Sequence, residues 1–228
     1  MSREAVLGAI RRGLRRGPLP EDQAAMLRAR LAAHPRHLVP ERARRDGAER
    51  IALFVRNIEK EFGTIERVAG PDAVPEAVAT YLVGQNLPPE LAIAPHPELR
   101  AIPWDARPLL RLREGRAEAS DAVSVQHGFA GIAETGTLML PSAPERPTTL
   151  NLLAETAIVV LRAGRVVAGM EDAWDLLRAE LPGMPRNVML VTGPSRSADI
   201  ESTLELGAHG PRRVHVVLVE ADGGQERA

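Results

Sequence analysis

The chain has 228 residues, 44% hydrophobic and 26% charged, with a formal net charge of −1. That supports one globular core and lacks the basic surface of a nucleic-acid binder, and 3% aromatics are too few for base-stacking platforms. The absence of cysteine excludes disulfides, thiol catalysis, zinc–thiolate sites and any cysteine-ligated iron–sulfur cluster within the chain.

Val6, Leu7, Ile10 and Leu14 recur at helical spacing within residues 2–16, with Arg11, Arg12, Arg15 and Arg16 largely opposite. This reads as a basic amphipathic helix. Its apolar stretch is short for a secretory leader, and no run reaches membrane-spanning length, so the expected location is the cytoplasm. Gly17-Pro18-Leu19-Pro20 breaks the helix, a second helix covers 21–33, and His34 to Pro40 reads as an extended linker. Residues 1–40 are therefore expected to form a helical extension and linker, and residues 41–228 an α/β domain.

An apolar stripe of Ile51, Phe54, Val55, Ile58 and Phe62 predicts a helix over 48–62, closed by Gly63. A strand over 64–69, a helix over 71–84 and a short strand over 91–94 follow; the segment around Trp104 is irregular. Strands are expected at 121–126, 137–140 and 157–161, with Gly164 turning the last into Arg165-Val166-Val167. A helix over 170–181 precedes buried-type strands at 187–192 and 214–219. The alternation argues for a three-layer α/β sandwich with a mostly parallel sheet, in which ligands bind beyond the carboxyl ends of the strands.

Chemistry concentrates in two glycine-bracketed stretches. The first is Gly131-Ile132-Ala133-Glu134-Thr135-Gly136-Thr137. The second is Gly193-Pro194-Ser195-Arg196-Ser197-Ala198-Asp199-Ile200-Glu201, followed by Gly207-Ala208-His209-Gly210-Pro211. Taken alone, the second stretch is a capped turn into a short helix, with Ser197 as N-cap and Asp199 in the first turn. It reads equally well as an anion cradle built from Gly193, Ser195, Arg196 and free backbone N–H groups. Glu134 beside a turn is ordinarily a solvated or hydrogen-bonded carboxylate; held between buried strands it becomes a base or nucleophile. His209 between glycines serves either as a backbone-bonding turn residue or as a proton-transfer group. His127, at the end of its strand, is a lesser candidate.

These stretches, in this order, resemble the LUD-domain family in its lactate utilization protein C branch, over about Ser120 to Glu220. The resemblance implies a fold similar to the sugar-phosphate isomerases and CoA transferases. It also implies a role as an accessory subunit in the oxidation of L-lactate to pyruvate. Since this chain has no cysteine, iron–sulfur clusters are expected in partner proteins. Their settings make Glu134 and His209 the catalytic candidates. Thr135, Gly136, Thr137, Arg146, Gly193, Ser195, Arg196, Asp199 and Gly210 become candidates for holding a small carboxylate or phosphate, Arg146 as a bidentate clamp. The chain departs from the family at Leu153-Ala154-Glu155-Thr156-Ala157, where members carry a proline and a histidine, and this favours a non-catalytic or altered role. Glu134 and Gly136 also match the nucleophile turn of CoA transferases. The alternative is thus a stand-alone isomerase or CoA-transferase-like enzyme using Glu134. A scaffold acting through the basic N-terminal helix is a third reading. No metal site is expected: His34 and His37 lack further ligands nearby, and no His-Glu-x-x-His helix occurs.

Overall fold

The computed structural model describes residues 2–15, 17–198 and 204–220. The chain divides into two compact units, Met1–Leu38 and Val39–Ala228. In the first, helices α1 (Arg3–Gly13) and α2 (Glu21–Ala33) flank the Gly-Pro break. The Ser2 hydroxyl accepts the Ala5 backbone N–H to start α1, and His34 takes the left-handed conformation that ends α2 (φ 43°).

The second unit runs α3 (Gly47–Lys60), β1 (Thr64–Val68), α4 (Val74–Gly84), β2 (Glu90–Ile93), α5 (Pro97–Arg100), β3 (Arg111–Glu114), β4 (Val123–His127), β5 (Ala130–Ile132), β6 (Thr137–Pro141), β7 (Thr156–Arg162), β8 (Val166–Val167), α6 (Met170–Glu180), β9 (Val188–Val191), β10 (Arg196–Ala198), β11 (Leu204–Leu206) and β12 (Arg213–Val219). Six strands form one all-parallel sheet in the order β1-β12-β7-β4-β2-β3. A second sheet, β8-β5-β6-β9, is mixed, and β10 pairs antiparallel with β11.

The near-continuous apolar runs behave as expected. Strands β7 and β12 are buried along almost their whole length, with alternate residues serving two cores. Ile158, Val160, Val217 and Val219 face α4, Trp104 and Leu150; Val159, Leu161, Val214, Val216 and Leu218 face Phe54 and Ile58 of α3 and Leu138 and Leu140 of the second sheet. The far side of that second sheet packs Ile132 and Met139 against Ala173 and Leu177 of α6. The α/β sandwich expected from the alternation is present, and a second sheet shares one of its covering layers.

Three local expectations need correction. Strand β3 is missing from the sequence reading because its residues, Arg-Leu-Arg-Glu, are all exposed at the sheet edge. The strand at 188–191 is only half-buried, since it is the edge of the second sheet rather than part of the parallel one. Ser197 does not cap a helix: Arg196–Ala198 is a strand laddered to Leu204–Leu206. Asp199, placed in that helix, lies outside the described residues.

Two glycine turns dock on the last turns of α3. Gly136 has φ +65°, and a Cβ there would lie 2.5 Å from the Asn57 carbonyl carbon and 2.6 Å from the Ile58 nitrogen. Gly193 has φ +71°, and a Cβ there would overlap the Glu61 carbonyl oxygen. Asn57 completes the joint: its amide donates to the Ala133 and Glu134 carbonyls at 2.8 and 3.1 Å. Gly63 does not supply the left-handed residue ending α3; Phe62 does, with φ +66°. Gly63 is needed for closeness, its Cβ position being 2.9 Å from Ile58 Cγ2.

Gly136→Ala combines backbone strain with backbone overlap and is expected to lower stability by about 2–4 kcal/mol in urea denaturation. Gly84→Ala, at the end of α4 with open space around it, is expected to be neutral or stabilising by up to about 1 kcal/mol. Equal effects of the two substitutions would contradict the docking.

Candidate functional site

In open α/β sheets, ligands enter where strand order reverses, outside the carboxyl ends. From β2 the chain steps outward to β3; from β4 it works back towards β7 and β12. The reversal therefore falls between β2 and β4. His96 follows β2, and His127 is the last residue of β4. Their rings stack with centroids 3.6 Å apart and an interplanar angle of 12°.

Glu98, in the first turn after β2, ties this edge together. Its Oε2 accepts the Arg162 Nε–H at 2.6 Å and lies 3.5 Å from His127 Nε2. His127 and Arg162 hold the Glu98 carboxyl down at about 2, against a smaller opposing effect of burial. Burial lowers His96 to about 4, with His127 and Arg146 adding to the effect. The nearest donor atoms of His96, Glu98 and His127 lie within 4.8 Å of one another. As arranged, however, His96 Nδ1 accepts the Glu98 backbone N–H at 3.3 Å and Glu98 is bound to a guanidinium. The geometry suits proton handling and anion binding better than cation ligation.

Arg146 borders the same edge. Its side chain is 12% exposed, pairs with Glu145 at 3.5 Å and lies 5.7 Å over the Phe129 ring. Burial disfavours its charged form, opposed by Glu145. A small cavity of about 10 Å³ is lined by residues including Gln126, His127, Arg146 and Asn151. Of these lining residues, His127 Nδ1, Arg146 Nε and Asn151 Oδ1 are buried without a hydrogen-bond partner, as are Arg50 Nε, Thr156 Oγ1 and His215 Nε2 elsewhere in the chain. Buried polar atoms are rarely left unpaired, and the space these three residues share is the size of a single water. Arg146 also lines a groove of about 820 Å³ between residues 142–149 and 181–186.

The two signature stretches do meet, but elsewhere. Thr135 Oγ1 lies 2.7 Å from Thr137 Oγ1, which lies 2.7 Å from Thr192 Oγ1, beside Gly193. Glu134 has a side chain 9% exposed, and its carboxylate accepts from Arg42 at 2.7 Å. Arg196 lies over the Phe62 ring at 3.5 Å. Ser195 receives the His209 N–H on its hydroxyl at 3.1 Å, its own N–H goes to Pro211 O at 2.8 Å, and Gly210 packs beside it. Pro211 and Arg212 lead into the start of β12, so Ser195, His209 and Gly210 occupy the amino edge of the parallel sheet. Arg146 and His127 occupy the opposite, carboxyl edge. The two stretches, each beside a strand in the sequence, are thus drawn away from the carboxyl edge: their glycines fit close packing on α3 and the turn before β12.

Sequence reasoning ranked His127 low and passed over His96, Glu98 and Arg162. The available signal was a His-Pro-Glu directly after a buried strand, which becomes meaningful only once β2 and β4 are known to be neighbours.

A family model described as LUD domain matches residues 105–219. A Neisseria meningitidis protein of uncharacterised function is 39% identical over 103 residues, 43% of this chain and 44% of the relative. Lactate utilization protein C of Bacillus subtilis is 35% identical over 120 residues, 51% of this chain and 49% of the relative. The chain thus spans about half the length of the curated relatives it matches. A crystal structure of a DUF162 family protein from Deinococcus radiodurans superposes with a TM-score of 0.59, at 22% identity, covering 75% of this chain and 97% of that one. This likeness shows the fold.

The depressed histidines give the fold a pH dependence. His96 and His215 are each lowered from 6.5 to about 4 by burial. Between those values the unfolded chain binds protons that the folded chain refuses, so stability falls as pH drops from 6.5 towards 4. Denaturation midpoints across this window are expected to decline steadily, and His96→Asn to make the slope shallower. A flat profile would contradict the burial of both rings.

Proposed function

The chain belongs to the LUD-domain family, and on that premise we propose that it serves lactate utilisation as an accessory subunit of L-lactate oxidation. The observation that carries this reading is the likeness to lactate utilization protein C of Bacillus subtilis, 35% identical over 120 residues. The work of this chain is to hold a small carboxylate or phosphate, while cysteine-rich partner proteins carry the iron–sulfur clusters that move electrons. Arg146 supports the first part. It is a largely buried guanidinium with a free Nε–H, next to a histidine whose Nδ1 is also free, at the sheet edge where ligands enter. Arg162 and Glu98 fix that histidine's surroundings, and a carboxylate reaches Arg146 from the groove of about 820 Å³ that it also lines.

Glu134 belongs to the framework in this reading, since its carboxylate is neutralised by Arg42 and its turn is pinned by Asn57. The pairing does not favour the CoA-transferase-like alternative, which needs that carboxylate free to attack.

The test is genetic complementation with stability measured in parallel. Deletion is expected to abolish growth on L-lactate, and the wild-type gene to restore it. Arg146→Lys is expected to fold normally yet fail to restore growth, because an ammonium cannot reproduce the planar fork. Glu134→Gln, if it keeps its fold, is expected to restore growth. Undiminished growth of the deletion strain, or a growth defect confined to Glu134→Gln, would reject the reading.

A further inference from the structure

The groove beside Arg146 is larger and more cationic than a lactate-sized ligand needs. Its volume of about 820 Å³ lies in the range of sites for cofactor-sized molecules. Three guanidiniums line it, from three separate segments: Arg116 before β4, Arg146 in the loop after β6, and Arg186 before β9. The only carboxylate among the lining residues is Glu145, already paired with Arg146. Arg116 and Arg186 are exposed, and neither side chain forms an ion pair among the described residues. This concentration stands out on a chain whose net charge is −1 and whose surface arginines are commonly paired with Glu or Asp. Between the arginines the wall is apolar, with Met184 61% exposed among prolines.

We propose that this groove binds an organic phosphate of nucleotide size, its phosphates spanning Arg116, Arg146 and Arg186 and its organic part lying on the Met184 wall. A single carboxylate satisfies one guanidinium; three from separate segments match two or more negative charges spread along a molecule. Arg146, with a side chain 12% exposed, is the least accessible of the three, and the exposed Arg116 and Arg186 add reach. Apolar exposure between cationic ends suits a ligand with an apolar or heterocyclic body rather than free phosphate. The inference shares Arg146 with the lactate reading and adds Arg116 and Arg186, which that reading does not use, so the test is made on those two.

The experiment is calorimetric titration of the full chain with ADP, coenzyme A, pyrophosphate and L-lactate as separate probes. ADP or coenzyme A is expected to bind at least about tenfold tighter than pyrophosphate, and more weakly as salt is raised. The double variant Arg116→Ala, Arg186→Ala is expected to keep the wild-type thermal midpoint and to lose at least about tenfold in affinity, consistent with the removal of charged hydrogen bonds. Failure of both organic phosphates to bind, equal binding of pyrophosphate, or an affinity unchanged in the double variant would overturn the proposal. Growth of the double variant on lactate separates the two readings: a variant that binds neither nucleotide yet grows normally leaves the lactate role standing.

Discussion

Burial of β7 and β12 on both faces is the constraint from which the rest follows. Two central strands with apolar neighbours above and below leave no room for unpaired charge within the sheet. Polar chemistry is pushed to the strand ends, and the two ends receive different sets. The carboxyl edge collects His96, Glu98, His127 and Arg162, linked by hydrogen bonds, ion pairs and ring stacking, with Arg146 beside them. The amino edge collects Ser195, His209 and the turn leading into β12, whose hydrogen bonds go mainly to backbone. The sheet's direction thus sorts residues that the linear sequence intermixes.

The carboxyl edge also shows how charge is tolerated at half-buried positions. Glu98 sits between a guanidinium and an imidazole, and both stabilise its ionised form. Arg146 is compensated by Glu145 on one side and supported by the Phe129 ring on another. Six buried polar atoms lack a hydrogen-bond partner among the described residues; three of them, Arg146 Nε, His127 Nδ1 and Asn151 Oδ1, belong to residues around one small space, while Arg50 Nε, Thr156 Oγ1 and His215 Nε2 lie elsewhere.

Much of the framework was legible because apolar runs are unambiguous. The runs 157–161 and 214–219 could only be buried strands, and the stripe from Ile51 to Ile58 could only be a helix packed on them. Strand β3 was invisible because an exposed edge strand carries no apolar signature, only a ladder to β2. The misreading at Ser197 has a different origin: Ser followed by Asp and Glu suits a helix cap, yet pairing with Leu204–Leu206 decided the local structure. Conversely, Arg146 was found through resemblance alone and acquired its physical meaning from its neighbours. His96 and Glu98 escaped because residues 31 and 29 positions before His127 join it only through strand order, which periodicity does not encode.

The joint at α3 carries a consequence for how this chain tolerates change. Gly136 and Gly193 approach the helix backbone itself, at Asn57 and Glu61, and not merely its side chains. One added or deleted residue upstream in α3 would swing those sites by about 100° around the helix axis. Both turns would then face side chains where they now meet bare backbone. The outer surface of α3 is free to vary in composition, while its length in residues is effectively locked.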